Sequence, residues 1–307
     1  MGERLGRVEA LAAEGVQPIP TDVGTDLFLR LLEHPGLPPA VVVAGRIGDP
    51  PTLRVERPPL ADLRFLERVL VDYPGVELVA DADLSPDSDP YLADHVFQGE
   101  RLLPAVIGLE AMAQAAAALV RGDLPGPIAI EDVAFDRPVI IANGGPTTIR
   151  LAALRRAADR VEVVLRCLAT GYQVGHFRAT FRLDPAPEMA GAAKRRAPGT
   201  RLRLDPSRDL YGSCLFQAGR FRRILDYLAL KATHCEATLA TGDPLGWFGG
   251  DRETPLLLGD AGMRDAAIHA VQACVPHTTV VPVGVDRIIA DTSWPDGPRS
   301  VLAEERS

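Results

Sequence analysis

The chain has 307 residues, of which 47% are hydrophobic and 24% are charged, and this composition allows one large buried core or two medium ones. The formal net charge of −8 argues against nucleic acid or another polyanion as the main ligand. The four cysteines show no close-pair spacing, and no signal-like apolar segment follows Met1. A zinc knuckle, a disulfide framework and export are therefore not indicated, and we expect a cytoplasmic protein.

The first 184 residues divide into an extension and a region of regular structure. Residues 1–55 contain a turn rich in glycine and proline, an amphipathic stretch at 25–32 and an apolar run at 40–44. Residues 60–184 combine one long apolar helix with strands that are rich in β-branched residues and partly alternate in polarity, as antiparallel strands with one buried face do. The predicted strands are 76–82, 128–135, 147–154, 161–169 and 174–183.

The long helix is predicted at 104–120, and five of the six residues at 113–118 are alanine. Small side chains allow a curved sheet to close tightly around a central helix. Glu110 and Gln114 interrupt the apolar run, so a buried helix is favoured over a membrane span.

A second unit is predicted after a linker at 185–205, which is rich in proline, alanine and arginine and has no periodicity. Residues 206–307 repeat the order strand, helix and strand, with the helix at 264–274 and the next strand at 278–289. Only about thirty residues follow that helix. We therefore expect a second sheet that lacks late strands, because the chain is a fragment of a longer protein or because the fold is trimmed. Its exposed edge predicts a homodimer.

The most informative segment is 94–104, where His95 is followed by Gly99 and then by Pro104 directly ahead of the long helix. Proline fits the first helical position, and the N–H groups of the first turn favour an anion. Glycine lets the backbone approach a ligand carbonyl, and histidine acts as a base or an acid near neutral pH. These residues predict a proton-transfer site beside an oxyanion-binding backbone.

Two further motifs follow in the second unit. The second motif, residues 258–269, contains Asp265 and, one helical turn later, His269. A third motif, residues 210–221, lies between the His95 segment and the second motif. In their order over about 60–290, the three motifs resemble those of the double-hotdog dehydratase domain of polyketide synthases. The first motif reads His-x-x-x-Gly-x-x-x-x-Pro, and the second is similar to the family's Asp-x-x-x-Gln/His.

The resemblance implies an α+β fold, the double hotdog, in which two antiparallel sheets each wrap around a central helix. Residues 60–184 would form the first hotdog and 206–307 the second. Residues 1–55 are similar to the C-terminal edge of a ketoreductase domain, with a purely structural extension as the alternative. That segment has no glycine-rich dinucleotide loop, so it is not expected to bind NADPH by itself.

The implied reaction removes water from a 3-hydroxyacyl thioester, carried on the phosphopantetheine of an acyl carrier protein, and gives the trans-2-enoyl thioester without a cofactor or metal. The resemblance assigns removal of the Cα proton to His95, since this step needs a base that titrates near the working pH. It assigns the acid to Asp265, and a carboxyl group can serve as an acid only where apolar surroundings raise its pKa. His269 would orient that carboxyl. The alternatives are an ordinary first-turn acid at 265 and a packed histidine at 269.

The motif at 210–221 departs from the family pattern. Tyr211 lies early in it, and Gln217 and Gly219 occupy positions where the family often has a tyrosine and a Gly-Pro pair near the substrate hydroxyl. A glutamine can still donate a hydrogen bond to that hydroxyl. The variant resembles iterative, enediyne-type and polyunsaturated fatty acid-type synthases.

Arg220, Arg222 and Arg223 form a basic cluster beside this motif. Because carrier proteins are acidic, the cluster predicts a docking rim for the acyl carrier protein, with a solvated face as the alternative. The other expected partners are further domains of a synthase, and neither nucleic acid nor a membrane is expected. Two other functions are open: a product-template-type aldol cyclase, which uses a similar His and Asp pair, and a non-catalytic acyl-binding or scaffold module.

Overall fold

A computed structural model describes residues 19–33, 36–37, 40–43, 60–184, 202–242, 246–249, 256–291 and 297–306. The chain separates into two compact units, Met1–Pro59 and Leu60–Ser307. In the first unit, helix α1 (Thr21–Glu33) contains the predicted amphipathic stretch, and none of its residues is buried. The apolar run at 40–43 has no regular structure, while Ala44 and most of the predicted linker, 185–201, lie outside the described residues.

In the part of the second unit that the structure describes, two further α-helices are present: α2 (Ala105–Val120) and α3 (Ala261–His269), the latter continued by a 3₁₀ turn at Ala270–Cys274. Its strands in chain order are β1 (Arg68–Tyr73), β2 (Glu77–Leu84), β3 (Val96–Phe97), β4 (Glu100–Arg101), β5 (Ile128–Phe135), β6 (Thr147–Ala157), β7 (Arg160–Cys167), β8 (Gly175–Arg182), β9 (Ile224–Lys231), β10 (His234–Leu239), β11 (Gly284–Ala290) and β12 (Arg299–Glu304). Each of the five predicted strands is present, with ends displaced by up to three residues.

Helix α2 is the centre of the larger core. Every residue from 106 to 119 is buried. The helix packs against β6, β7 and β8, and a Cβ added at Gly108 would overlap the ring of Phe177 on β8. The small residues of α2 therefore allow the close approach of helix and sheet that the sequence predicts. Among the described residues, no helix is both long enough and apolar enough to cross a membrane.

A seven-stranded antiparallel sheet with the order β1-β2-β6-β7-β8-β5-β11 wraps around α2. Its last strand corrects the prediction that 278–289 belongs to the second sheet. Strand β11 pairs with β5, so that Gly284 lies opposite Ala134 and Ala290 opposite Ile128. A local pattern of apolar residues cannot distinguish two possible partner strands, because both offer the same backbone hydrogen bonds.

The second sheet has three described strands in the order β12-β10-β9, all antiparallel. It packs with α3 around a smaller core that includes Tyr227, Cys235, Ala237 and Met263. Two helices, each associated with an antiparallel sheet, form the double hotdog, and the predicted fold class is confirmed. The strand expected here at 278–289 belongs to the first sheet, whereas β12, a late strand that the sequence does not predict, pairs with β10.

Candidate active site

A tight hairpin places His95 at the edge of the first hotdog. Strands β3 and β4 pair across Gln98 and Gly99, whose φ angles of 51° and 85° are those of a two-residue hairpin turn. The backbone N–H of Leu102 donates to the His95 carbonyl at 3.1 Å. A Cβ at Gly99 would meet nothing within 4 Å. The positive φ therefore gives Gly99 a role in the turn, and its close approach to a ligand stays a prediction.

The His95 imidazole is held in one tautomer. Its Nδ1 lies 3.1 Å from the carbonyl oxygen of Leu102, and a carbonyl only accepts, so Nδ1 carries the proton and Nε2 is an unprotonated acceptor. The rings of Phe216 and Phe221 pack edge-on against the imidazole, with centroids 5.0 and 5.4 Å away. Burial lowers the pKa of His95, and the negative charge of Asp265 acts in the opposite direction. The neutral form, which can accept a proton, is therefore favoured.

Pro104 ends the segment that follows the hairpin, directly ahead of α2. It is the N-cap and not, as predicted, the first helical residue: its φ and ψ of −60° and 139° are extended, and its carbonyl accepts from the N–H groups of Ile107 and Gly108. The N–H groups of Ala105 and Val106 precede these donors, so they have no acceptor within the helix. Ala105 also lines the cavity described below.

Asp265 and His269 lie one turn apart on α3 and are hydrogen-bonded. The His269 Nδ1 is 3.0 Å from the Asp265 Oδ2, and the His269 Nε2 is 3.2 Å from the hydroxyl of Tyr211. That hydroxyl accepts from the backbone N–H groups of Arg223 and Ile224. Burial raises the pKa of Tyr211 to about 12, so its hydroxyl keeps its proton and donates it to His269. His269 then donates from Nδ1 to Asp265.

A cavity of about 540 Å³ is lined by residues of both hotdogs. His95, Asp265, His269 and Gln217 all line it, and its remaining walls are mainly apolar. The other lining residues are Phe97, Leu102, Leu103, Ala105, Phe135, Asp136, Arg137, Pro138, Phe177, Phe216, Ile268, Val271, Val280, Val281, Pro282 and Val283. The cavity thus exposes an imidazole and a carboxylate from separate hotdogs to one apolar space.

Gln217 is the buried polar residue of this cavity whose side chain is left unsatisfied. It is only 5% exposed, and its Oε1 has no hydrogen-bond partner among the described residues. A buried amide without a partner costs free energy unless a ligand supplies one. Gln217 is therefore placed to bind a polar group of a molecule in the cavity.

Tyr211 and Gly219, predicted to contact the substrate, do not line the cavity. Tyr211 lies behind His269, as described above. Gly219 has a φ of 42°, and a Cβ there would overlap the carboxyl group of Asp94. The backbone N–H of Ala218 also donates to the carbonyl of Asp94 at 2.8 Å. Gly219 therefore lets the 210–221 motif pack against the segment that carries His95.

The three arginines of the basic cluster differ in environment. Arg220 pairs with Asp94, and Arg223 donates to the carbonyl of Arg220 at 2.8 Å. Arg222 is exposed, with its guanidinium 5.4 Å from the centre of the Tyr211 ring. Arg222 Nε also donates to the carbonyl of Gln217 at 3.4 Å, so all three arginines have contacts within the protein, and the docking rim stays a prediction.

Sequence reasoning assigned no role to several residues around the site. Asp94 joins the two hotdogs through Arg220, and Phe216 packs on the imidazole. Asp94 directly precedes His95 and Phe216 directly precedes Gln217, and this adjacency is the sequence signal that could have identified them. Among the described residues, no group of His, Cys, Asp and Glu side chains has the arrangement of a metal site.

Comparison with known proteins identifies part of the second unit. The stretch 64–166 matches the family model of the polyketide synthase dehydratase domain. This stretch is therefore similar to the polyketide synthase dehydratase domain. It contains the dehydratase-type segment of His95 and the whole of α2, so the resemblance predicted from the motifs is confirmed.

Two curated relatives extend this finding. Polyketide synthase ThaG of Burkholderia thailandensis is 32% identical over 128 residues, which is 40% of this chain and 2% of that protein. One component of the polyunsaturated fatty acid synthase of a Thraustochytrium species is 25% identical over 288 residues, 90% of this chain and 9% of that protein. The dehydratase-type chain therefore spans a small part of the length of these relatives. The second match agrees with the predicted similarity to polyunsaturated fatty acid-type synthases.

The fold of the dehydratase-type unit is shared with solved structures. The dehydratase domain from the CurF module of the curacin polyketide synthase aligns with a TM-score of 0.63 and 17% identity, covering 80% of this chain and 89% of that domain. The dehydratase domain from the terminal module of the rifamycin polyketide synthase aligns with a TM-score of 0.59 and 18% identity, covering 81% and 89%.

Proposed function

We propose that this chain is a 3-hydroxyacyl thioester dehydratase that forms the trans-2-enoyl thioester during assembly of a polyketide or related acyl chain. The observation that carries the proposal is one apolar cavity lined by the neutral imidazole of His95 and the hydrogen-bonded carboxyl of Asp265. Water elimination needs a base at Cα and an acid at the β-hydroxyl, and the two groups lie on different hotdogs. The decisive experiment is detection of water loss from a 3-hydroxyacyl carrier protein.

In the proposed mechanism, the His95 Nε2 removes a proton from Cα. The electrons of the broken C–H bond form the Cα–Cβ double bond, and the Cβ–O bond breaks. A protonated Asp265 gives its proton to the departing hydroxyl, which leaves as water. Since His269 donates to Oδ2, we assign the proton transfer to Oδ1. The proton on His95 returns to Asp265 before the next cycle.

Supporting residues have distinct tasks in this mechanism. The free N–H groups at the start of α2 face developing negative charge on the thioester oxygen, as helix N-termini favour anions. The Gln217 Oε1, which has no hydrogen-bond partner among the described residues, accepts from the substrate hydroxyl. The CurK dehydratase domain, which shares the fold, is described as inactive in one His-to-Phe and in one Asp-to-Asn variant. The present proposal likewise rests on one histidine and one aspartate.

The pH profile tests the base. Because burial lowers the pKa of His95, protonation removes the base only at a pH below the ordinary histidine range. We therefore expect the acid limb of kcat/KM to have its midpoint below about pH 6.5, since kcat/KM reports the free enzyme. Initial rates with a pantetheine thioester between about pH 5 and 8 measure it. A midpoint above about pH 7 would contradict the assignment.

The proposed substrate is delivered by an acyl carrier protein on its phosphopantetheine arm, and the chain works with other synthase domains in the cytoplasm. No cofactor is needed for the elimination, and a homodimer remains a prediction. Arg222 is the most exposed arginine of the basic cluster, and we propose that it meets an acidic carrier.

Charge reversal at this position tests the docking prediction. Arg222→Glu is expected to raise KM for the carrier-bound substrate about 5-fold, because an attractive exposed pair becomes repulsive. KM for a short pantetheine thioester should not change, since that substrate lacks the carrier protein. Arg178→Glu, at an exposed position on β8, is the matched control. An equal effect on both substrates would assign Arg222 to the site and not to docking.

A further inference from the structure

A fully buried carboxylate in the middle of α2 connects the two hotdogs. Glu110 is 0% exposed, and its Oε1 and Oε2 accept from the backbone N–H groups of Leu257 and Leu258 at 2.7 and 2.9 Å. Gln114, one turn later on α2, also donates to Oε1 at 3.1 Å. A carboxylate that receives three hydrogen bonds is stabilised in its charged form. Its loss would leave the N–H groups of the half-buried Leu257 and the buried Leu258 without this acceptor.

The charge of Glu110 is matched by an arginine next to the proposed acid. Arg264 NH2 lies 3.8 Å from Glu110 Oε2, and the Arg264 side chain is 16% exposed. Burial raises the pKa of Glu110, and burial lowers the pKa of Arg264, so each group needs the other to remain charged. The pair joins α2 of the first hotdog to α3 of the second.

The residues held by Glu110 lead directly into α3. Gly259, with a φ of 79°, turns the chain after Leu258. Asp260 then caps α3: its Oδ1 accepts from the N–H of Met263 at 3.1 Å, and its Oδ2 accepts from the N–H of Gly242 at 2.7 Å. Asp265 follows on the second turn of the helix. The start of α3 is thus fixed from three sides.

We propose that Glu110 is a positioning residue for the dehydration site, holding the start of α3 so that Asp265 lies at the working distance from His95. The inference rests on the proposed function. Helix α2 is the common reference for both groups, because its N terminus directly follows the His95 segment and its buried carboxylate fixes the segment before Asp265. His95 and Asp265 are far apart in the sequence, so the hydrogen bonds of Glu110 across the interior set the distance between them.

Glu110→Gln tests the inference in the whole chain. The amide accepts only at its oxygen, so one of the two N–H groups loses its acceptor. Arg264 loses the negative charge of Glu110 and keeps its contact with the Gly259 carbonyl. We expect kcat for dehydration to fall about 10- to 100-fold, while KM changes less than about 3-fold, because a small misplacement of a reacting group costs this much. Glu162→Gln, which removes an exposed carboxylate paired with Arg156, is the matched control and should keep the parent kcat.

A second variant and a direct measurement separate positioning from folding. Glu110→Asp keeps the charge but withdraws the carboxylate from the N–H groups. It is the variant to measure if Glu110→Gln does not fold, and we expect the same loss of kcat. In the parent chain, the amides of Leu257 and Leu258 should be strongly protected from hydrogen exchange. Fast exchange there overturns the inference, and so does a kcat within about 3-fold of the parent in a folded variant. A parent chain that does not dehydrate its substrate would instead reject the proposed function.

Discussion

His95→Asn is expected to lower kcat for dehydration by about 10²- to 10⁴-fold, the usual loss when a general base is removed. Asparagine is the informative replacement, because its amide nitrogen can donate to the Leu102 carbonyl as Nδ1 does, while nothing replaces Nε2. The hairpin contact is therefore kept and the base is lost. Mass detection of the enoyl product gives the rate, and thermal unfolding checks the fold.

The control for this variant is His277→Ala, since His277 is exposed and does not line the cavity. It should retain the parent rate. If His95→Asn keeps a rate within a few-fold of the parent while remaining folded, the imidazole is not the base, and the elimination would need another group in the cavity.

Asp265→Asn is expected to cause a loss of similar size, about 10²- to 10⁴-fold in kcat. The amide oxygen can still accept from His269, so α3 and the chain of hydrogen bonds to Tyr211 should be preserved. An amide cannot transfer the proton that the departing hydroxyl requires. The measurement is single-turnover formation of the enoyl thioester, which separates the chemical step from product release.

Asp136→Asn is the matched control, because Asp136 also lines the cavity but is given no role. A large loss of kcat in Asp136→Asn and none in Asp265→Asn would make Asp136, and not Asp265, the acid. A large loss only in Asp265→Asn would leave Asp265 as the acid of the proposed mechanism.

The first hotdog could be predicted from its local patterns. Strand β5 begins and ends where its apolar residues do, and the alanines of α2 predict a helix buried on all sides. Pairing between distant segments could not be predicted in the same way. Strand β11 pairs with β5 although about 150 residues separate them, and its local sequence does not distinguish one sheet from the other.

The candidate site shows the same division. The motifs identify His95, Asp265, His269 and Gln217, and all four line one cavity. Arg220 appears in the sequence as part of a basic cluster, but its partner Asp94 is more than a hundred residues away, so the ion pair leaves no local signal. The roles of Glu110 and Tyr211 also depend on such distant partners.

The most direct test is incubation of the whole chain with an acyl carrier protein that bears a 3-hydroxyacyl group, followed by intact-protein mass spectrometry. The proposed function predicts loss of one water from the acyl group as the trans-2-enoyl thioester forms. His95→Asn and Asp265→Asn should form it about 10²- to 10⁴-fold more slowly. Ring closure of a longer polyketone chain with this enzyme would favour the cyclase. If the mass of the carrier stays unchanged for many times the period in which a known dehydratase completes the reaction, and the chain is folded, the result contradicts dehydration as the activity of this chain.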